Sequence, residues 1–151
     1  MSNYPPESAV ELKARALRHL ARREHSRAEL ERKLAPHAES AGQLQALLDQ
    51  LEQKQQLSNE RFAEQRAHVL ARKYGPARIR HDLQAKGISP ELVDCVSSAG
   101  ELERARAILQ RKYGQPAASR EERARRVRFL QGRGFSSGVI HRLVMRNPPE
   151  D

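Results

Sequence analysis

The chain has 151 residues, of which 38% are hydrophobic and only 4% aromatic, and it carries a formal net charge of +9. No segment alternates apolar and polar residues as a half-buried strand would, so we predict an all-α protein with a thin core. The single cysteine, Cys95, excludes an internal disulfide framework and a multi-cysteine zinc site, and we expect it to be buried. No apolar segment approaches membrane-spanning length and no signal-peptide core follows Met1, so we predict a cytoplasmic protein without a membrane partner.

The basic charge is concentrated toward the C-terminus. Residues 1–57 contain 9 Lys and Arg against 8 Asp and Glu, a net charge of +1, and residues 58–100 contain 7 against 5, a net charge of +2. Residues 101–151 contain 12 against 6, a net charge of +6. This asymmetry indicates a polyanionic partner, either nucleic acid or the acidic surface of a protein.

The predicted helices come in three rounds of three. After a polar tail, residues 1–7, which we expect to be disordered, the first round covers residues 8–57. Its first helix spans residues 8–24, and capping boxes at residues 26–29 and 40–43 open the second and third helices. The positions predicted to be buried are Leu12, Ala16, Leu17, Leu20, Leu30, Leu34, Leu44, Leu47, Leu48 and Leu51.

Glycine and proline divide the second round, residues 58–100. Gly75-Pro76 separates its first two helices, and Gly87 ends the second helix before Ser89-Pro90 starts the third. Glycine just past a helix, and serine then proline at the next start, are the expected stop and start residues. The positions predicted to be buried are Phe62, Val69, Leu70, Ile79, Leu83, Leu92, Val93 and Val96.

The third round covers residues 101–147 and is followed by a second tail, residues 148–151. It opens near Gly100, and a capping box at residues 119–122 starts its middle helix. The positions predicted to be buried are Leu102, Ala105, Ile108, Leu109, Val127, Leu130, Val139, Ile140, Leu143 and Val144.

The rounds repeat one another in sequence. Arg-Lys-Tyr-Gly at 111–114 matches residues 72–75, and Gly-Phe-Ser at 134–136 is similar to Gly-Ile-Ser at 87–89. A unit of about 40 to 50 residues buries little apolar surface alone. We therefore predict three tandem three-helix repeats stacked into an elongated, curved array.

No motif of enzyme chemistry is present. The sequence lacks the G-x-x-x-x-G-K-[ST] phosphate loop, the G-x-S-x-G elbow and the H-E-x-x-H zinc motif. Six histidines lie on presumed helix surfaces and ends without the spacing of metal ligands. We predict no catalytic residue, no cofactor site and no metal site, and we expect the chain not to be an enzyme.

Thirteen basic residues are candidates for binding a protein partner or DNA. Four of them lie in the predicted last turns of helices, where a cation complements the helix dipole, and this accounts for their position without a binding role. The dipole does not account for the arginines after Ser119, because their helix has only Glu121 and Glu122 as acids and like charges repel. The four are Arg72, Lys73, Arg111 and Lys112, and the others are Arg78, Arg80, Lys86, Arg120, Arg123, Arg125, Arg126, Arg128 and Arg133.

Two tyrosines, Tyr74 and Tyr113, each precede a glycine. The ring could fold over the helix end with its hydroxyl reaching the backbone or water. Stacking on a nucleic-acid base is the alternative. We expect Phe62, Phe129 and Phe135 to pack in the core or between repeats.

Five segments carry a resemblance to a known family. They are Arg-Glu-His-Ser-Arg-Ala-Glu-Leu at 23–30, Tyr-Gly-Pro-Ala-Arg-Ile-Arg at 74–80, Lys-Gly-Ile-Ser at 86–89, Arg-Lys-Tyr-Gly at 111–114 and Phe-Leu-x-x-Arg-Gly-Phe at 129–135. In this order they resemble the bacterial RecX family, regulators of the RecA recombinase. One departure is that residues 58–60, Ser-Asn-Glu, precede Arg61-Phe62, where the family often has an acidic pair.

The resemblance implies three tandem three-helix repeats and a role in DNA recombination, DNA repair and the SOS response. It implies an inhibitor that binds the RecA nucleoprotein filament in its helical groove and blocks filament extension, ATP hydrolysis and strand exchange. The basic composition leaves a second hypothesis open, a stand-alone protein that binds single- or double-stranded DNA. Charge reversal at Arg125, Arg126 and Arg128 would separate the two hypotheses.

Overall fold

A computed structural model of the chain describes residues 4–145, and among these residues the regular secondary structure is entirely helical. The α-helices are α1 (Ala9–Arg22), α2 (Arg27–Leu34), α3 (Ala41–Gln53), α4 (Asn59–Leu70), α5 (Pro76–Ala85), α6 (Pro90–Ser97), α7 (Glu101–Tyr113), α8 (Arg120–Gly132) and α9 (Ser137–Ile140). A 3-10 turn, Ala35–His37, follows α2, and a π-helical turn, His141–Met145, follows α9. The predicted all-α class is confirmed.

Some predictions fall on parts of the chain that the structure does not describe. Residues 1–3 of the first tail, residues 146–147 at the end of the third round and the second tail, 148–151, lie outside the described residues. Within residues 4–145, no helix is long and apolar enough to span a membrane.

The described chain divides into two compact units. The first contains residues 4–65 and 85–89, and the second contains residues 66–84 and 90–145. Helices α1 to α3 belong to the first unit and α6 to α9 to the second, while the middle round contributes to both. The boundaries of the three sequence rounds stay predictions.

Serine hydroxyls start helices where the capping boxes are predicted, but each of these boxes is only half formed. The hydroxyls of Ser26, Ser40 and Ser119 accept the backbone N–H three residues later, at 3.0–3.1 Å. The reciprocal side chain binds another group: Glu29 accepts from Arg23, Gln43 from the backbone of Glu39, and Glu122 from the backbone of Ala118. The serine therefore provides the start signal, while Gln43 and Glu122 bind the residue just before their serine and Glu29 binds Arg23.

Leucines form the core of the first unit. The buried side chains from α1, α2 and α3 pack into one cluster, joined by Leu57 after α3, and Leu17 and Leu20 lie partly buried against it. A complete capping box, absent from the predictions above, opens α1, because Ser8 and Glu11 each accept the other's backbone N–H at 3.2 and 3.4 Å. The cluster consists of Leu12, Ala16, Leu30, Leu34, Leu44, Leu47, Leu48, Leu51 and Leu57.

One histidine of the first unit is buried, contrary to the prediction that the histidines lie on surfaces and ends. His25 is only 1% exposed. Its Nδ1 lies 3.0 Å from the carbonyl of Arg23 and its Nε2 lies 2.9 Å from Nζ of Lys33. A carbonyl can only accept and an ammonium can only donate, so His25 is the neutral tautomer with the proton on Nδ1.

Burial and charge act on two titratable groups around this histidine. Burial lowers the pKa of His25, and the positive charges of Arg23 and Lys33 act in the same direction. The Arg23 guanidinium binds the Glu29 carboxylate at 2.8–2.9 Å and holds the pKa of Glu29 at about 2. Glu29 therefore stays ionised as the pH falls through the ordinary histidine pKa of about 6.5.

We expect the first unit to lose stability as the pH falls below about 6.5, the ordinary histidine pKa. The unfolded chain takes up a proton on His25 there while the folded chain does not, so protonation favours unfolding. Thermal melting between pH 7.5 and 5.0 should show a smaller pH dependence for His25→Gln than for the unsubstituted chain. Lys33→Met, which removes the facing ammonium, should reduce it in part, and identical pH profiles for all three chains would contradict this assignment.

A backbone contact between two glycines holds the second unit together. The N–H of Gly75 donates to the carbonyl of Arg133 at 2.8 Å, and the N–H of Ala77 donates to the carbonyl of Gly134 at 3.0 Å. A Cβ on Gly75 would lie 2.6 Å from the backbone of Gly134 and Phe135, closer than real Cβ contacts. Gly134 also has φ of +91°, a conformation that L side chains rarely adopt.

The burial predictions after the first round are mostly correct. Ile79, Leu83, Val93 and Phe135 are buried in the second unit, and Phe62 is buried in the first. A further cluster contains Ala105, Ile108, Leu130, Phe135 and Ile140.

Two burial predictions are wrong. Val69 is 57% exposed, because the buried face of α4 carries Ala63 and Ala67, and Val69 is turned away from these two residues. Cys95 is exposed, because Val93 is the residue of α6 that is fully buried and Cys95 lies two positions further round the helix.

Gly75→Ala should lower the free energy of unfolding by about 2–3 kcal/mol, because the added methyl group meets backbone that cannot move aside. Gly132→Ala is the matched control, since a Cβ there meets nothing within 4 Å. Alanine is favoured over glycine in a helix by about 1 kcal/mol, so the control should be neutral or slightly stabilising. Equal thermal melting of the two variants would show that the glycine contact does not limit stability.

Candidate functional site

The structure places twelve of the thirteen candidate basic residues in the second unit, and Lys86 alone in the first. Arg111 and Lys112 lie in the last turn of α7, as predicted. Arg72 and Lys73 do not lie in a helical turn of α4, which ends at Leu70, but in the turn that follows it. The Gly75-Pro76 break begins before Gly75 because the chain must already turn toward the contact with Gly134.

Tyr74 lies between two of the candidate arginines. The guanidinium carbon of Arg78, in the first turn of α5, is 4.5 Å from the centre of the Tyr74 ring, and that of Arg133, just after α8, is 5.8 Å away. Arg78 also donates from Nη1 to the carbonyl of Gly132 at 3.2 Å. The Tyr74 ring therefore attracts both guanidinium groups and offsets part of the repulsion between them.

The same pattern continues along α7 and α8. Arg133 and Lys112 lie 5.1 and 5.2 Å from the centre of the Phe129 ring. Phe129 meets Tyr113 edge to face, with ring centres 5.8 Å apart, and the guanidinium of Arg126 lies 4.6 Å from the centre of the Tyr113 ring. We call these side chains the arginine–aromatic array: Tyr74, Arg78, Lys112, Tyr113, Arg126, Phe129 and Arg133.

The array changes how the two tyrosines are interpreted. Both rings interact with guanidinium groups of this chain, rather than lying bare for a nucleic-acid base. Each cation–π contact contributes about 0.5–1 kcal/mol at a partly exposed site. These contacts offset part of the electrostatic repulsion among the four cations of the array. They also hold the N–H groups of the cations in position to bind an anionic partner.

Two other candidate residues form polar contacts within this chain. Arg111 donates from Nη2 to the carbonyl of Arg72 at 2.9 Å, which joins the two copies of the Arg-Lys-Tyr-Gly segment. Arg80 donates to the hydroxyl of Ser98 at 3.1 Å and lies 3.6 Å from the carboxylate of Asp94. Part of the repeated sequence is therefore architectural.

The arginines of α8 border two different clefts. A cleft of about 690 Å³ is lined by Arg120, Arg123 and Arg128 on one side of the helix. A smaller cleft of about 370 Å³ is lined by Arg125 and Arg126, together with Tyr113 and Glu122. The candidate residues on α8 are therefore not one continuous basic stripe, and the two groups meet different surroundings.

A further arginine, Arg104, is a structural residue that the sequence predictions miss. It is partly buried, and its guanidinium donates to the carbonyls of Tyr74 at 2.8 Å, Ala99 at 3.0 Å and Ser97 at 3.2 Å. Burial lowers the pKa of Arg104, and the carboxylate of Glu101 opposes this effect. Residue type alone does not separate it from the exposed Arg106, two positions later on the same helix.

Arg104→Lys should reduce the free energy of unfolding by about 2 kcal/mol, because an ammonium cannot satisfy three carbonyls in the plane of a guanidinium. Urea unfolding followed by circular dichroism measures this difference. Arg106→Lys makes the same chemical change at an exposed position of α7 and should leave stability within about 0.5 kcal/mol. If Arg104→Lys loses no more stability than Arg106→Lys, the three hydrogen bonds from Arg104 to carbonyls do not stabilise the fold.

The described residues contain no group of three or more His, Cys, Asp or Glu side chains suited to a metal ion. The arrangement that the structure does bring together is a fixed set of cations beside aromatic rings, with two basic clefts. Such a set can bind an anionic surface by charge and shape, and it needs no reacting group for that.

Comparison with known proteins identifies three consecutive family domains. The first, second and third three-helix domains of RecX match residues 13–42, 58–96 and 99–144. Curated relatives called Regulatory protein RecX match most of the chain. The protein of Ralstonia nicotianae is 48% identical over 142 residues, covering 92% of this chain and 89% of that protein. The protein of Herbaspirillum seropedicae is 48% identical over 138 residues, covering 89% and 90%.

Solved structures show the same fold. The crystal structure of RecX from Lactobacillus salivarius has a TM-score of 0.78 and 18% sequence identity, and the match covers 91% of this chain and 94% of that one. The predicted family resemblance and the three three-helix domains are thus confirmed. The chain belongs to the RecX family of regulatory proteins.

Proposed function

We propose that this chain acts in the cytoplasm as an inhibitor of the RecA recombinase. It binds the RecA nucleoprotein filament in its helical groove and blocks filament extension, ATP hydrolysis and strand exchange. The role in recombination, repair and the SOS response follows from that inhibition. Membership of a family of regulatory proteins along most of the chain supports this proposal.

The observation that carries the proposal is the arginine–aromatic array. Its cations are held by rings and by carbonyls of the chain, so little side-chain entropy is lost when they meet an anionic surface. A nucleoprotein filament offers both phosphates and acidic protein groups. Several modest contacts with successive subunits would add up by avidity, and inhibition would need no catalytic residue.

The test is the single-stranded-DNA-dependent ATPase of RecA, measured with increasing amounts of this chain. We expect inhibition at a ratio of one chain to several RecA subunits, because each bound chain affects more than one subunit. Arg78→Glu combined with Arg133→Glu should raise the half-inhibiting concentration at least about tenfold, since two array cations become anions. Arg106→Glu, an exposed charge reversal outside the array, should change it less than about twofold.

The proposal fails if ATPase activity is unchanged at equimolar chain and RecA. Circular dichroism melting of each variant separates loss of binding from loss of fold. Inhibition that is equally weakened by Arg106→Glu would show that total charge, and not the array, is responsible.

The second candidate function is stand-alone binding of single- or double-stranded DNA. It is favoured by the net charge of +6 on residues 101–151 and by the cleft of Arg125, Arg126 and Tyr113. Arg125→Glu, which leaves the array unchanged, should reduce the salt dependence of naked-DNA binding by about one phosphate contact. If RecA inhibition persists in this variant, DNA contact is secondary to filament binding.

A further inference from the structure

The cleft of about 690 Å³ along α8 differs in chemistry from the rest of the basic surface. Its rim carries Arg120, Arg123 and Arg128, and none of the described residues that line it is acidic. The remaining lining residues are mostly apolar or neutral: Ala124, Val127, Gln131, Ser137, Ile140, His141 and Met145.

These residues share one face of α8. Positions 120, 123, 124, 127, 128 and 131 follow the three- and four-residue spacing of a helix face. The turn His141–Met145 closes the other side, and Met145 is 53% exposed. The cleft therefore combines an apolar floor with a cationic rim.

We infer that this cleft receives an apolar segment flanked by acidic side chains, contributed by a protein partner. This inference rests on the proposed function, because it locates the protein contact of the same regulator. Its volume lies within the range of pockets that accept a few side chains. Apolar anchors fill the floor, and flanking carboxylates pair with the three arginines, whose like charges repel one another.

A protein segment suits this cleft better than nucleic acid does. A phosphate backbone would neutralise the rim but would leave Val127, Ile140 and Met145 against a hydrated anion, with no gain from apolar burial. Bases bind best on Tyr, Phe or Trp platforms, and none of these residues is among the described lining of this cleft, where His141 is the one aromatic ring. The smaller cleft is lined by Tyr113 and by the acidic Glu122, so the two clefts beside α8 differ in chemistry.

Site-specific photo-cross-linking tests the inference on the full chain. The exposed Gln131, which lines the cleft, is replaced in Gln131→p-benzoylphenylalanine, and the complex with RecA on labelled single-stranded DNA is irradiated. We expect a cross-link to RecA at a segment in which apolar residues are flanked by Asp or Glu. The control, Gln110→p-benzoylphenylalanine on the exposed surface of α7 outside the cleft, should give several-fold less product.

Neutral substitutions supply a second readout. Met145→Ser should raise the concentration needed for half-inhibition of the RecA ATPase at least about fivefold, since it removes an apolar anchor site. Its affinity for naked DNA should stay within about twofold, because no charge changes. Val69→Ser, another exposed apolar residue, should alter neither measurement.

Three other results would contradict these expectations. Cross-linking of Gln131 to DNA or to a second copy of the chain would overturn the inference, as would ATPase inhibition without any cross-link from Gln131. A chain that does not inhibit RecA at all would overturn the proposed function, and with it this docking surface.

Discussion

The second unit depends on the approach of two backbone segments at Gly75 and Gly134. Tyr74 precedes the first glycine and Arg133 precedes the second, so the hydrogen bonds between these segments also bring the Tyr74 ring near the Arg133 guanidinium. The absence of Cβ atoms permits that distance. The candidate site therefore takes its geometry from a contact that carries no charge itself.

Positive charge has two uses in this unit. Some arginines stabilise the fold, with Arg104 and Arg111 donating to carbonyls. Others border clefts where an acidic or phosphate group can approach, and α8 presents different arginines to each cleft. A large net charge is compatible with a compact unit because rings and carbonyls offset part of the repulsion.

Local chemistry made much of the fold predictable. Helix starts at Ser26, Ser40 and Ser119 follow from hydroxyl caps, and the apolar spacing in α1 to α3 marks the leucine cluster. The errors have two causes. Exposure of Val69 and Cys95 depends on which face of a short helix meets its neighbours, and a short amphipathic pattern fixes that face only to within about one residue, or 100°. His25 lies between α1 and α2, where no helical periodicity indicates burial.

The sequence by itself determined the helical class, the repeated segments and the family, because each rests on spacing or residue identity along the chain. It also singled out the basic residues of the third round. Only the tertiary structure decided which of them stack on rings, which bind carbonyls and which line a cleft with an apolar floor. Those roles require contacts between residues such as Tyr74 and Arg133, far apart in sequence, and such proximity leaves no local pattern to read.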